Sequence, residues 1–198
     1  GGWNEHYQGT SIQRTWFVNL RKALDAAGFT GTQIVASDET PMVAERFGRP
    51  SYSPLRIWQT VTGNMVTDRS FGRAVSVLGV HDTCGLPTTG FRCVISLRAR
   101  TMAARTGKLL WESELGATPS FGTNPALPGP GGLARALNAA YNQAGITGIL
   151  VWPLIDAIPP HLPHENRGLV WADRPWDGYY RVTPLTWVIA QTTQFTAP

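Results

Sequence analysis

The feature that most constrains this chain is a series of five short apolar runs, separated by helical patterns and ending in polar or aromatic side chains. They are "GGWNE", "TQIVASD", "AVSVLGVHD", "KLLWESE" and "GILVWPLID". Runs that are continuously apolar rather than alternating mark strands buried on both faces, which means a parallel sheet covered by helices. The intervening segments supply those helices. In "SIQRTWFVNLRKALDAAGF" the residues Ile12, Trp16, Leu20 and Leu24 recur at helical spacing, and Gly28 provides the stop. "SPLRIWQTV" reads as helical in part, "SLRARTMAAR" as a helix, and "GGLARALNAAYNQAG" as an amphipathic helix stopped at Gly145. After the last run the chain reads as loop, then a closing helix around "TPLTWVIAQ".

The runs end on Asn4 and Glu5, Asp38, His81, Glu112 and Glu114, and Trp152. A β/α barrel collects its active-site groups at the carboxyl ends of its strands, which is this pattern. The competing architecture, an open doubly wound sheet, calls for a glycine-rich phosphate loop after a strand, and the sequence has none. A complete barrel takes eight strands and about 250 residues, whereas this chain offers five runs in 198 residues. The expected fold is therefore α/β: the C-terminal portion of a (β/α)8 TIM barrel, about strands four to eight, with residues 1–198 forming part of a catalytic domain.

Composition narrows the function classes. Eight tryptophans and fifteen prolines suit an aromatic-lined cleft and structured loops. No apolar stretch approaches the roughly 18 residues of a membrane span, so stable membrane insertion is not expected. The net charge is +4, and five of the seventeen basic residues (Arg92, Arg98, Arg100, Arg105, Lys108) fall in one segment. Only Phe91 accompanies them, so a solvated face is expected there and nucleic-acid binding is not. Cys84 and Cys93 either close a small loop or stay free, and two cysteines do not decide the compartment. "HLPHE" gathers His161, His164 and Glu165, but Pro163 breaks the helix a zinc motif would use; a solvated loop is expected, with no metal.

Two carboxylates at strand ends are what glycoside hydrolysis requires. One carboxylic acid protonates the departing oxygen, and the other carboxylate attacks the anomeric carbon or activates a water. Glu5 supplies one, with Asn4 beside it to hydrogen-bond a sugar hydroxyl. Glu112 or Glu114 supplies the other. Residues two apart on a strand share a face, so periodicity does not choose between them. Trp152 offers an apolar face to a sugar ring or fills the core, His81 lines the site or is a buried, hydrogen-bonded histidine, and Asp38 reads equally as a helix cap. No cofactor is implied, because two carboxyl groups suffice.

The segments "GGWNE", "LRKALDAAGFTGTQIVASD", "GVHDT", "TGKLLWESE", "LARALNAAYNQAGITGILVWPL" and above all "GLVWADRPWDGYYRV" with "WVIAQTTQFTAP" resemble the galactosylceramide-cleaving β-galactosidases, family fifty-nine of the glycoside hydrolases. The resemblance runs from Gly1 to Pro198 and implies a retaining two-glutamate mechanism. It makes Glu5 the acid/base and Glu114 the nucleophile, and it matches Asn4, His81 and Trp152 to sugar-pocket positions. It implies a galactolipid or other β-galactoside as substrate and a lysosomal or secreted setting. It also implies further parts of the protein: the first barrel strands, a β-sandwich that contributes an arginine to the sugar, and a lectin-like domain. The chain departs from the family around the site. Glu112 replaces a serine and Leu115 an aspartate, and "HDTCGLPTTG" with a basic insertion replaces "HYPGT". Ile158 and Pro159 replace paired tyrosines, Pro153 an asparagine, and Gly132 a disulfide cysteine. The alternatives are another retaining β-glycosidase on the same barrel and a non-catalytic sugar-binding relative.

Overall fold

Thr10 begins the first helix. Its hydroxyl accepts the Gln13 N–H at 3.2 Å, and the Gln13 side chain accepts the Thr10 N–H at 3.3 Å. This reciprocal cap satisfies two amides that a helix start leaves open. A computed structural model describes residues 10–36, 54–81, 84, 93, 97–116, 129–157, 168–172 and 174–195. Helix α1 runs Ser11–Ala26 and ends before Gly28, whose φ of +85° suits a residue without a Cβ. Its packed side differs from the expected stripe. Phe17 and Val18 lie against the core, with the Phe17 ring edge-on to Phe71 at 5.6 Å between centroids. Ile12 and Trp16 are 81% and 59% exposed. The spacing predicts the helix correctly, but the face it turns inward is set by the Phe71 contact.

Strand β1 (Val35–Ala36) is followed by helices α2 (Pro54–Thr67) and α3 (Arg69–Ala74), then strand β2 (Val77–His81). Asp68 caps α3: its carboxylate accepts the Phe71 N–H at 3.0 Å and pairs with Arg14 of α1 at 3.2 Å. Helix α4 (Leu97–Thr106) leads to strand β3 (Leu109–Gly116), and helix α5 (Pro130–Ala139) continues through a π-helical turn, Ala140–Ala144. Gly145, at φ +70°, stops it before strand β4 (Gly148–Trp152). Helices α1, α2, α4 and α5 fall where the sequence predicts them, while the short α3, which takes in Ala74 from the expected start of the next strand, was not expected.

The four strands form one parallel sheet in the order β1-β2-β3-β4. Sequential order in one direction, with helices in the connections, differs from a doubly wound sheet, whose order reverses at a switch point. It is compatible with part of a barrel. One face carries the helices. Ala36, Leu78 and Leu110 are buried there with Val61, Met65, Phe71 and Ala103, while Leu115 joins Leu133 and Leu137 of α5. Burying one such side chain contributes about 1.5–3 kcal/mol.

The other face is partly open, with Leu150 49% and Trp152 39% exposed. Two glycines let its strands close up. A Cβ on Gly79 would lie 2.6 Å from Val35 Cγ1, and one on Gly148 would lie 2.7 Å from the Trp111 indole nitrogen.

Beyond Trp152 the structure corrects the expectation of loop alone. Strands β5 (Ile155–Asp156), β6 (Val170–Trp171) and β7 (Arg181–Val182) make a second sheet, parallel between β5 and β6 and antiparallel between β6 and β7. Two-residue strands are too short to show a period in the sequence. The Arg181 guanidinium sits 4.3 Å from the Trp171 ring centre. Helix α6 (Pro184–Phe195) closes the chain as expected and buries Leu185 against Leu133 and Leu137.

Candidate active site

The site is built on an irregularity in β3. Against β2, Val80 pairs with Glu112, yet the next residue, His81, pairs with Glu114. Against β4, Ile149 pairs with Glu112 and Val151 with Leu115, so three steps on β3 match two on its neighbour. One extra residue is therefore inserted in β3 just after Glu112. Such a bulge disrupts the ladder locally and re-aims the side chains beyond it.

The burial pattern follows the insertion. Leu110 and Glu112 are buried, as alternation requires of one face, but the next fully buried residue is Leu115 rather than Glu114. Ser113 and Glu114 are half-buried. On a regular strand of the same sequence Glu114 would turn to the helix side with Glu112; with the bulge, Glu114 stands apart from the helix-side core. The two glutamates that periodicity could not separate are separated by the backbone.

Glu112, at 0% exposure, is a carboxylate held inside the protein. Such a group is tolerated when it is hydrogen-bonded, and its Oε1 accepts the backbone N–H of Cys84 at 3.2 Å. Cys84 is itself joined by a disulfide to Cys93, nine positions further on, which decides the pairing the sequence left open. The disulfide belongs to the helix-side core, where Cys84 is fully buried and Cys93 partly so.

The expected site residues divide into two groups. His81 ends β2 in register with Glu114, and Trp152 ends β4 in register with Gly116, two residues beyond Glu114. The carboxyl ends of three neighbouring strands thus bring His81, Glu114 and Trp152 to one end of the sheet. Trp152 is followed by a cis peptide bond to Pro153. Asn4 and Glu5 lie outside the described residues, as do Asp38, Arg92, Ile158, Pro159 and the His161–Glu165 cluster. Of the basic segment, Arg100 and Arg105 are exposed, and Arg100 donates to the Gln143 carbonyl at 2.8 Å. Among the described residues no helix is long and apolar enough to cross a membrane.

The Glu112–Cys84 contact and the role of Ser113 as part of the bulge were missed in the sequence. A signal for the bulge does exist: Leu110 and Leu115, both apolar, stand an odd number of residues apart on one strand, which regular alternation would place on opposite faces.

The opposite end of the sheet has a different character. Arg69, Arg73, Arg105 and Lys108 line a cleft of about 330 Å³ where β2 and β3 begin. The Lys108 ammonium donates to the Val75 carbonyl at 2.6 Å, and its burial pulls its pKa below the usual lysine value. The cleft lies at the other end of the sheet from Glu114, and among the described residues none of its lining is a carboxylate.

Comparison with known proteins bears on the fold and on the family. The fold matches the crystal structure of SrfJ from Salmonella typhimurium with a TM-score of 0.62 at 12% identity, covering 96% of this chain and 39% of that one. In sequence, the chain is 31% identical to galactocerebrosidase of Homo sapiens and 30% to that of Mus musculus, over 198 residues in each case. Those alignments take in all of this chain but 23% of the relatives, so the chain spans about a quarter of their length. The profile of Glycosyl hydrolase family 59 matches residues 1–194. With a strand-end glutamate turned out of the helix-side core by a bulge and a family match over nearly its whole length, the chain belongs to glycosyl hydrolase family 59.

Proposed function

We propose that this chain is the C-terminal portion of a (β/α)8 catalytic barrel, about strands four to eight, in a retaining β-galactosidase that cleaves galactosylceramide-like galactolipids. The observation that carries the reading is Glu114: a half-buried carboxylate at the carboxyl end of a parallel strand, turned by a bulge away from the core in which Glu112 is buried. The galactocerebrosidases it is similar to support the substrate class. The remaining barrel strands, the β-sandwich and the lectin-like domain of the whole protein would complete the site.

In this reading the Glu114 carboxylate attacks the anomeric carbon while Glu5, as the acid, protonates the glycosidic oxygen, and the ceramide alcohol leaves. Glu5, now a carboxylate, takes a proton from water, which attacks the anomeric carbon from the opposite side and frees Glu114. Two inversions give net retention, and the two carboxyl groups need to stand about 5–5.5 Å apart. Asn4 bonds a sugar hydroxyl, Trp152 offers its ring to the sugar's apolar face, and His81 stands on the strand beside the nucleophile.

The test is a pair of variants in the full-length protein. Glu114→Gln should abolish turnover of every galactoside. Glu5→Ala should retain the first step on a nitrophenyl galactoside, whose leaving group needs little protonation, while losing the lipid. Added azide should then restore turnover and give the β-azide. Equal loss on both substrates with no azide effect would refute the roles, and full loss from Glu112→Gln with an active Glu114→Gln would move the nucleophile two residues back.

A further inference from the structure

Glu112 occupies an unusual place for a carboxylate: no solvent exposure, at the foot of the bulge, two residues before the proposed nucleophile. A bulge leaves the ladder locally disrupted, so its geometry needs anchoring from elsewhere. The anchor visible here comes from the segment after β2. Cys84 sits three residues past His81, and its N–H reaches across to Glu112 Oε1 at 3.2 Å. The donor is in turn fixed by the bond to Cys93 and by full burial of Cys84 in the helix-side core. Disulfide, amide, carboxylate and bulge thus form one continuous connection ending at Glu114.

We propose that Glu112 is a positioning residue for Glu114: its buried carboxylate, held by the Cys84 amide within the disulfide-closed segment, fixes the β3 bulge that turns Glu114 out of the core. The proposal rests on the reading of Glu114 as nucleophile. It implies that reduction of Cys84–Cys93 loosens the nucleophile from a distance, so that the oxidised protein is the more active form.

The experiment uses the full-length protein and a 2-deoxy-2-fluoro-β-galactosyl fluoride. In labelling, the Glu114 carboxylate forms a bond to C1 as the C1–fluorine bond breaks and fluoride leaves with the electron pair; peptide mapping then locates the sugar. A misplacement of about 1 Å can cost roughly 100-fold in rate. Glu112→Ala should therefore label Glu114 roughly 100-fold more slowly, with kcat falling and KM little changed. Glu112→Gln, whose amide oxygen accepts the same N–H, should recover most of that loss. The Cys84→Ser/Cys93→Ser pair should fall between them. Labelling of Glu112→Ala at the parent rate, or no recovery in Glu112→Gln, would overturn the proposal, as would a label on Glu112 itself. If the parent protein labels a residue other than Glu114, or none, the nucleophile assignment falls first and this proposal with it. Should Glu112→Ala fail to fold, mild reduction of the parent protein replaces it: labelling that slows as the disulfide opens, at unchanged circular dichroism, supports the proposal, and an unchanged rate refutes it.

Discussion

Ser113 of β3 occupies the space that a side chain at Gly79 of β2 would need: a Cβ built on Gly79 would lie 2.8 Å from the Ser113 hydroxyl oxygen. The same Cβ would meet Val35 Cγ1 at 2.6 Å, so it would be caught between β1 and β3. Both distances are shorter than real carbon contacts allow, and overpacking of this kind costs about 1–3 kcal/mol. Gly79→Ala should lower the urea midpoint of the full-length protein accordingly. Removing the serine as well should recover only part of the loss, because Val35 remains in the way. Full recovery in the double variant would show that Ser113 alone makes the contact.

Trp152 supplies a second test. Its ring is 39% exposed at the end of β4, on the same end of the sheet as Glu114. If it is a platform for the sugar, Trp152→Ala in the full-length protein should raise KM by about tenfold, of the order expected from losing roughly 1–2 kcal/mol of apolar contact. Trp152→Phe should keep most of the affinity. Michaelis parameters on a soluble galactoside decide this, and an unchanged KM in Trp152→Ala would make the tryptophan core filling.

Asp68 gives the fold a pH dependence whose sign can be worked out. The Phe71 amide, opposed by desolvation and helped by Arg14, holds its carboxyl below the usual aspartate value. A carboxylate with a depressed folded pKa adds stability that is fully present above the unfolded value, near 3.9. That stability is lost as pH falls through the lower folded value. Asp68→Ala should cost about 1 kcal/mol at neutral pH, as loss of a helix cap does, and Asp68→Asn less, since asparagine also caps. The difference between parent and Asp68→Ala should shrink as the carboxyl protonates in acid. Urea melts at pH 7 and at pH 3 measure it; a difference that grows in acid would contradict the assignment.

The open face of the sheet makes a prediction for the 198-residue chain in isolation. Leu150, Trp152, Leu154 and Ile155 are all exposed along and beyond β4. Exposed apolar side chains grouped in one short stretch mark an interaction site or an aggregation liability. The isolated chain should bind a hydrophobic dye and associate as its concentration rises, and Leu150→Lys with Ile155→Lys should reduce both. A dye-silent monomer with a cooperative melt would show that the face is covered in solution.

The sequence made the sheet legible because its strands are continuously apolar and its helices amphipathic, two signals that need no tertiary information. The strand ends at His81, Glu114 and Trp152 followed from those runs. The roles within the site were less accessible. Glu112 and Glu114 look equivalent on an idealised strand, and only the register against both neighbours reveals the residue that separates them. The inward face of α1 was misjudged because Ile12 and Trp16 fit the helical period as well as Phe17 and Val18 do; the contact with Phe71, far away in sequence, made the choice. The small sheet after Trp152 was invisible because two residues cannot show a period. The pairing of Cys84 with Cys93 depends on the course of the chain between β2 and α4, which no local pattern encodes.

The inserted residue in β3 has the character of a phase change. Up to Glu112 the even-numbered Leu110 and Glu112 are buried on the helix side; after it the residue buried there is the odd-numbered Leu115. A glutamate on either side of that boundary has the same chemistry on paper and a different vocation in the protein, one internal and hydrogen-bonded, the other turned away from the core. Were β3 to run regularly with Ser113 retained, Glu114 would fall in with Glu112 on the helix side, and the chemistry would be silenced without altering any residue assigned to it.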